Sequence, residues 1–164
     1  MIHNGIEYAI MQLISENYHV LKYGLKRSND EIHKIFKSWN EGLLESYLVE
    51  ISRDIFKAKD SETGNDLIDV ILDKAKQKGT GKWTSQSAMD FGVSIPTIDS
   101  SVSMRIISSF KDLRTKGENI FGNKAKIYMK RPILLMIMKI GSLCFFTLLF
   151  SKEVVIGTMY VFIQ

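Results

Sequence analysis

One cysteine in 164 residues, Cys144, leaves no partner for an intrachain disulfide, and its place in an apolar run fits inert packing in a reducing compartment. No stretch alternates apolar and polar residues strictly enough for a half-buried strand. The start of the chain lacks a basic region followed by an apolar run, which argues against a secretory signal. Charge of one sign is not gathered anywhere: 22 Lys and Arg are scattered among 18 Asp and Glu, so the net charge of +4 gives no support to a nucleic-acid footprint, and no nucleic-acid partner is expected. A Gly-x-Gly-x-x-Gly run is missing, and with it the usual signature of a dinucleotide-binding turn. No metal site is expected either. What is there is 45% hydrophobic, enough for one domain with a real core.

The apolar spacing is helical. Ile6, Ile10, Leu13, Ile14, Tyr18 and Leu21 predict a helix over residues 6–24, with Gly24 as its stop. Ser28 with Glu31 fits a capping box that opens a second helix faced by Ile32, Ile35, Phe36 and Trp39, with Phe36 and Trp39 in the core. Leu44, Leu48, Ile51 and Ile55, widened by Tyr47 and Phe56, predict a third helix buried on one side. Residues 60–65 read as a polar loop, and Leu67, Val70 and Ile71 carry a fourth amphipathic segment over residues 66–76. Thr84 is placed to cap a short helix ending near Gly92. Pro96 suits the first turn of another, with Ile98, Val102, Ile106, Phe110 and Leu113 as its core stripe and Arg105 beside it.

Two stretches carry more chemistry than packing requires. His3, Asn4, Glu7 and Tyr8 lie within six positions; on a helix His3 and Glu7 stand four apart, as do Asn4 and Tyr8, so neighbouring stripes of one surface would bear all four polar groups. Taken singly, His3 is an ordinary solvated side chain and Glu7 a surface carboxylate favoured by the helix dipole. In Gln77-Lys78-Gly79-Thr80-Gly81-Lys82-Trp83-Thr84, two glycines let the backbone approach a ligand while lysines flank them. A nucleotide P-loop would need glycine where Lys76 stands and Ser or Thr where Trp83 stands, so that reading is rejected. An anion-binding loop and a plain inter-helix turn remain open, and Trp83 reads as a core anchor.

Together these motifs resemble decarboxylating 6-phosphogluconate dehydrogenase. His3-Asn4-Gly5-Ile6-Glu7-Tyr8 with Met11-Gln12-Leu13, then Trp39-Asn40, Glu50-Ile51, the 77–84 loop, Arg105 and Lys111-Asp112 occur in that family's order. The likeness spans roughly residues 1–116 and corresponds to the start of the enzyme's all-α, multi-helix C-terminal domain. It implies an NADP-dependent oxidative decarboxylation of 6-phosphogluconate: C3 is oxidised by hydride transfer, the β-keto acid loses carbon dioxide, and an enediol is protonated to ribulose 5-phosphate. By that resemblance Glu7 is the acid that protonates the enediol, a task that needs a carboxyl raised well above about 4.3. His3 and Asn4 would bind the sugar acid, and Tyr8, Lys78 and Arg105 would meet the phosphate end, where a planar guanidinium, an ammonium and glycine-turn N–H groups match a dianion.

The departures shape the expectation. The family's general-base lysine would fall immediately before Met1, and the N-terminal Rossmann domain that holds NADP would precede it. These 164 residues by themselves are therefore expected to show little or no dehydrogenase activity. Residues 117–164 read as a divergent apolar tail, with Lys139, Lys152 and Glu153 as the only charges from Pro132 onward. For residues 133–150 a buried helix is the first reading, a tail of altered origin the second and a membrane span the third, Lys139 being costly in lipid. The expectation is a cytoplasmic, homodimeric, 6-phosphogluconate-binding domain fragment. A non-catalytic sugar-phosphate-binding remnant and a membrane-anchored helical protein are its competitors.

Overall fold

The computed structural model describes residues 1–121, and the expectations for Cys144 and for the apolar run at 133–150 lie outside them. The described residues are helical, as expected: α1 (Ile2–His19) continues into a π-helical turn (Val20–Gly24), followed by α2 (Asn29–Asn40), α3 (Tyr47–Ile55), α4 (Leu67–Val70), α5 (Thr80–Asp90), α6 (Pro96–Ser109) and α7 (Lys111–Phe121). An isolated antiparallel bridge between Lys59 and Asp66 is the only extended pairing among them. None of the described helices is long and apolar enough to cross a membrane. Two compact units divide the described residues, 14–72 and 1–13 with 73–121.

In the 14–72 unit the capping signals act as read. Ser28 accepts from the Glu31 backbone N–H while the Glu31 carboxylate accepts from the Ser28 N–H at 2.9 Å, so two orphan donors of α2 are satisfied reciprocally. Ser28→Ala should lower stability by about 1 kcal/mol, read from the urea midpoint; an unchanged midpoint would mean the box contributes nothing. Ile32 and Phe36 of α2 are fully buried, and Phe56 meets Phe36 edge-on at 4.8 Å and stacks on Tyr18 at 5.2 Å. Trp39 tilts against Phe36 at 4.7 Å and is half-buried. Burial, and then the Asp69 carboxylate, push the Tyr18 phenol up, so it stays neutral.

α3 starts later than its apolar spacing suggested. Asn40 accepts from the Ser46 N–H at 3.1 Å and Ser46 accepts from the Val49 N–H, which fixes a turn over residues 41–46 and leaves Leu44 and Tyr47 outside the core. Leu48 is buried as expected, joined by Val49 and Ser52. The fourth segment shrinks to the single turn of α4, with Ile68 buried and Val70 exposed. Its neighbourhood is electrostatic: Asn29 donates to Asp66 and Asp69, Lys22 donates to Asn29 at 2.7 Å, and Lys59 pairs with Asp66.

In the other unit, glycines let three helices touch. A Cβ on Gly5 of α1 would sit 2.7 Å from the Thr84 hydroxyl of α5. A Cβ on Gly81 would sit 2.7 Å from the Tyr8 ring and 2.9 Å from Val102 of α6. Thr84 therefore lies inside α5 as a packing residue and does not cap it; its hydroxyl bonds the Met1 and Thr80 carbonyls. Gly79, at φ +99°, occupies the cap position, a conformation that favours glycine.

The buried face of α6 keeps Val102 from the expected stripe but is rotated away from Ile106. Ser101, Val102, Arg105 and Ser108 are buried, whereas Ile106 is 41% exposed and Phe110 and Leu113 still more so. The small serines permit close approach, and their hydroxyls return to their own helix, Ser101 to the Ile98 carbonyl at 2.7 Å and Ser108 to that of Arg105 at 2.8 Å. Their burial is thus inexpensive.

Candidate functional site

Tyr8 is the centre of the arrangement. It sits at the end of the second turn of α1, is buried, and presents one ring face to the Arg105 guanidinium, whose carbon lies 4.0 Å from the ring centroid. At that distance a desolvated cation on a phenol ring contributes up to about 2 kcal/mol. Gly81 brings the first turn of α5 against the same ring, because no side chain separates them. Three segments that are far apart in sequence, 1–8, 79–84 and 101–108, meet there.

Arg105 is 7% exposed and is anchored as well as charged. Its Nη1 donates to the Lys76 carbonyl at 2.9 Å and its Nη2 contacts the Met11 sulfur at 3.3 Å. The expectation of an Arg beside an apolar stripe thus becomes an Arg at the buried centre of its helix face. Lys78 follows two residues after the carbonyl that Arg105 holds, and its side chain is exposed. His3 and Asn4 are exposed on the first turn of α1, with His3 Nδ1 3.9 Å from the Glu7 carboxylate, itself 37% exposed. Trp83 is not a core anchor: it is 49% exposed and lies over the Gly79 backbone.

The N-terminal turn of α5 presents helix-end backbone N–H groups and a positive dipole end, with exposed Lys78 just before it and exposed Lys82 within it, while the Arg105 charge is buried against Tyr8. Behind it, residues 73–78 have no regular secondary structure and are held from the side by α6 and α7. Asp73 is the largest omission from the sequence reading. Burial pushes its carboxyl up, but hydrogen bonds from Lys111 and Arg114 outweigh that and hold it below the ordinary carboxylate range. Lys111 stands out in the sequence only through its motif pair with Asp112, and nothing local marks Asp73 or Arg114, which look like solvated charges.

The description "6-phosphogluconate dehydrogenase, C-terminal domain" matches residues 1–148. The chain belongs to that family. The Bacillus subtilis "6-phosphogluconate dehydrogenase, NADP(+)-dependent, decarboxylating" is 60% identical over 120 residues, 73% of this chain and 26% of the relative. A Shigella flexneri 6-phosphogluconate dehydrogenase, decarboxylating, is 50% identical over 150 residues, 87% of this chain and 32% of the relative. Among solved structures, the Plasmodium falciparum 6-phosphogluconate dehydrogenase, studied in its apo form and with NADP+ and 6-phosphogluconate, superimposes with a TM-score of 0.75 at 49% identity over 80% of this chain and 28% of that one. The chain thus spans only a quarter to a third of these relatives' lengths. The family match passes residue 116 and takes in much of the apolar segment that follows.

Proposed function

We propose that this chain is the substrate-binding portion of an NADP-dependent, decarboxylating 6-phosphogluconate dehydrogenase. The first turn of α1, the Lys78–Gly81 loop and Arg105 form its sugar-phosphate subsite. The observation that carries the reading is the meeting of Tyr8, Gly81 and Arg105 around one ring, which supports a phosphate pocket where the family motif places it. In this reading Lys78 and the α5 N-terminus receive the phosphate, with Tyr8 and the positive charge of Arg105 behind them. His3 and Asn4 hydrogen-bond the sugar acid, and Glu7 delivers the proton to the enediol carbon after carbon dioxide has left.

The described residues do not fit the dinucleotide. They hold no strand-to-helix turn, and the lysine-flanked glycines open a single helix and have no preceding strand. We assign the main NADP contacts, and the base that removes the C3 hydroxyl proton, to a separate dinucleotide-binding region. A second copy of the chain is the proposed partner, and the cytoplasm the proposed location.

Titration calorimetry with the 164-residue chain tests the reading. Binding of 6-phosphogluconate at least about tenfold tighter than gluconate is expected, the equivalent of one charge-assisted contact. Equal affinity for the two would remove the phosphate subsite. The same preparation, mixed with NADP and 6-phosphogluconate, should release no NADPH at 340 nm above the uncatalysed background. Turnover at an ordinary enzymatic rate, on the order of 1–1000 per second, would overturn the assignment of cofactor and base to a separate region.

A further inference from the structure

The irregular segment that leads into the Lys78–Gly81 loop has no ladder of its own, so something else must fix where the loop stands. Four side chains do this from the flank. Arg114 donates to the Asp73 carboxylate at 2.9 Å, to the Asp73 backbone carbonyl at 2.8 Å and to the Ser108 carbonyl at 3.1 Å, so one guanidinium ties the start of the segment to the end of α6. Lys111 bonds the same carboxylate. Ser108 then accepts the Ala75 N–H at 3.2 Å. With Arg105 on the Lys76 carbonyl, Asp73, Ala75 and Lys76 are all held before the chain reaches Lys78.

We propose that Asp73, Arg114 and Ser108 are positioning residues for the phosphate loop: they set the height of Lys78 and of the first turn of α5 without touching the ligand. The proposal rests on the phosphate-subsite reading above. Its physical content is leverage. Asp73 and Gly79 bracket a stretch with no internal hydrogen bonds, so a displacement at Asp73 is carried to Lys78 and to the donors of Thr80 and Gly81. The guanidinium grips Asp73 with one nitrogen on its carboxylate and the other on its backbone carbonyl, a directional arrangement, and neutralising the carboxylate loosens it while leaving its shape. The clamp also explains why α6 buries serine at position 108: a larger residue would push the segment away, and an apolar one would orphan the Ala75 N–H.

The test uses the full 164-residue chain and measures the ratio of gluconate to 6-phosphogluconate dissociation constants, a quantity that a general loss of stability moves little. Asp73→Asn should lower that ratio by about tenfold, mostly through weaker 6-phosphogluconate binding. Arg114→Lys should fall in the same direction, because an ammonium cannot span both the Asp73 and Ser108 carbonyls. Ser108→Ala, the mildest change, keeps the ratio measurable should the charge variants fold poorly, and should also reduce it. Folded Asp73→Asn and Ser108→Ala proteins that discriminate as well as wild type would overturn the proposal while leaving the subsite reading intact. Equal weakening of both ligands would do so too, by reducing the clamp to a stabilising contact. A wild-type chain that does not prefer the phosphorylated ligand would overturn both.

Discussion

Gly81→Ala is expected to lower the stability of the chain by about 1–3 kcal/mol, although alanine is the better helix former by about 0.5–1 kcal/mol. The sign follows from contact distances. The added methyl would lie 2.7 Å from the Tyr8 ring and 2.9 Å from Val102, and neither a ring pinned under Arg105 nor a buried valine has room to retreat. Steric overlap therefore outweighs propensity, and α1, α5 and α6 must spread. Gly117 provides the control, since a Cβ there meets nothing within 4 Å inside α7, and Gly117→Ala should raise stability by about 0.5–1 kcal/mol. Urea unfolding of the two variants side by side decides it. A Gly81→Ala protein that gains stability as Gly117→Ala does would mean the three helices stand farther apart than described. Because the same spreading moves Tyr8 from the α5 N-terminus, 6-phosphogluconate affinity should fall with stability in the first variant and stay unchanged in the second.

Arg105→Met should cost about 2–4 kcal/mol, the combined scale of a charged hydrogen bond and a desolvated cation on a ring face. Methionine keeps much of the apolar stem, so the loss isolates the guanidinium: the Lys76 carbonyl is left without its donor and the Tyr8 face without its cation. Arg105→Lys recovers only part, because a point charge cannot lie flat over the ring and also reach the carbonyl. Calorimetric unfolding should therefore rank wild type above Arg105→Lys above Arg105→Met. Affinity for 6-phosphogluconate should drop at least about tenfold in both variants, the arginine being both part of the cationic site and an anchor of its loop. A methionine variant as stable as wild type would refute the anchoring role.

Local signals are legible in the sequence where the physics is local. The Ser28 and Glu31 capping box, the buried stripe of Ile32 and Phe36, and the first-turn position of Pro96 each depend on residues within one or two turns. The same holds for α1, whose apolar periodicity runs to Gly24 even though the last turn is wound as a π-helix. Motif content, too, is a linear property. His3 to Tyr8 and the 77–84 loop pointed to the family before any coordinates, since two long, spaced matches rarely coincide by chance.

The misreadings share one cause. Spacing assigns Leu44 and Tyr47 to the core, but a side-chain turn at Asn40 and Ser46 starts α3 later. Trp83 reads as a core anchor, whereas it covers a glycine at the surface. On α6, periodicity favoured Ile106 and Phe110 over Ser101, Arg105 and Ser108, because hydropathy does not register that a close approach needs small residues or that a buried guanidinium can be satisfied by a carbonyl and a ring. The chain alone therefore established helicity, the principal caps and the family motifs, all of which rest on neighbours along the backbone. Which face of α6 turns inward, how near Tyr8 comes to Gly81, and that Asp73 is clamped by Lys111 and Arg114 were settled only in three dimensions. Contacts between residues tens of positions apart depend on how whole helices approach one another, and no local pattern encodes that distance.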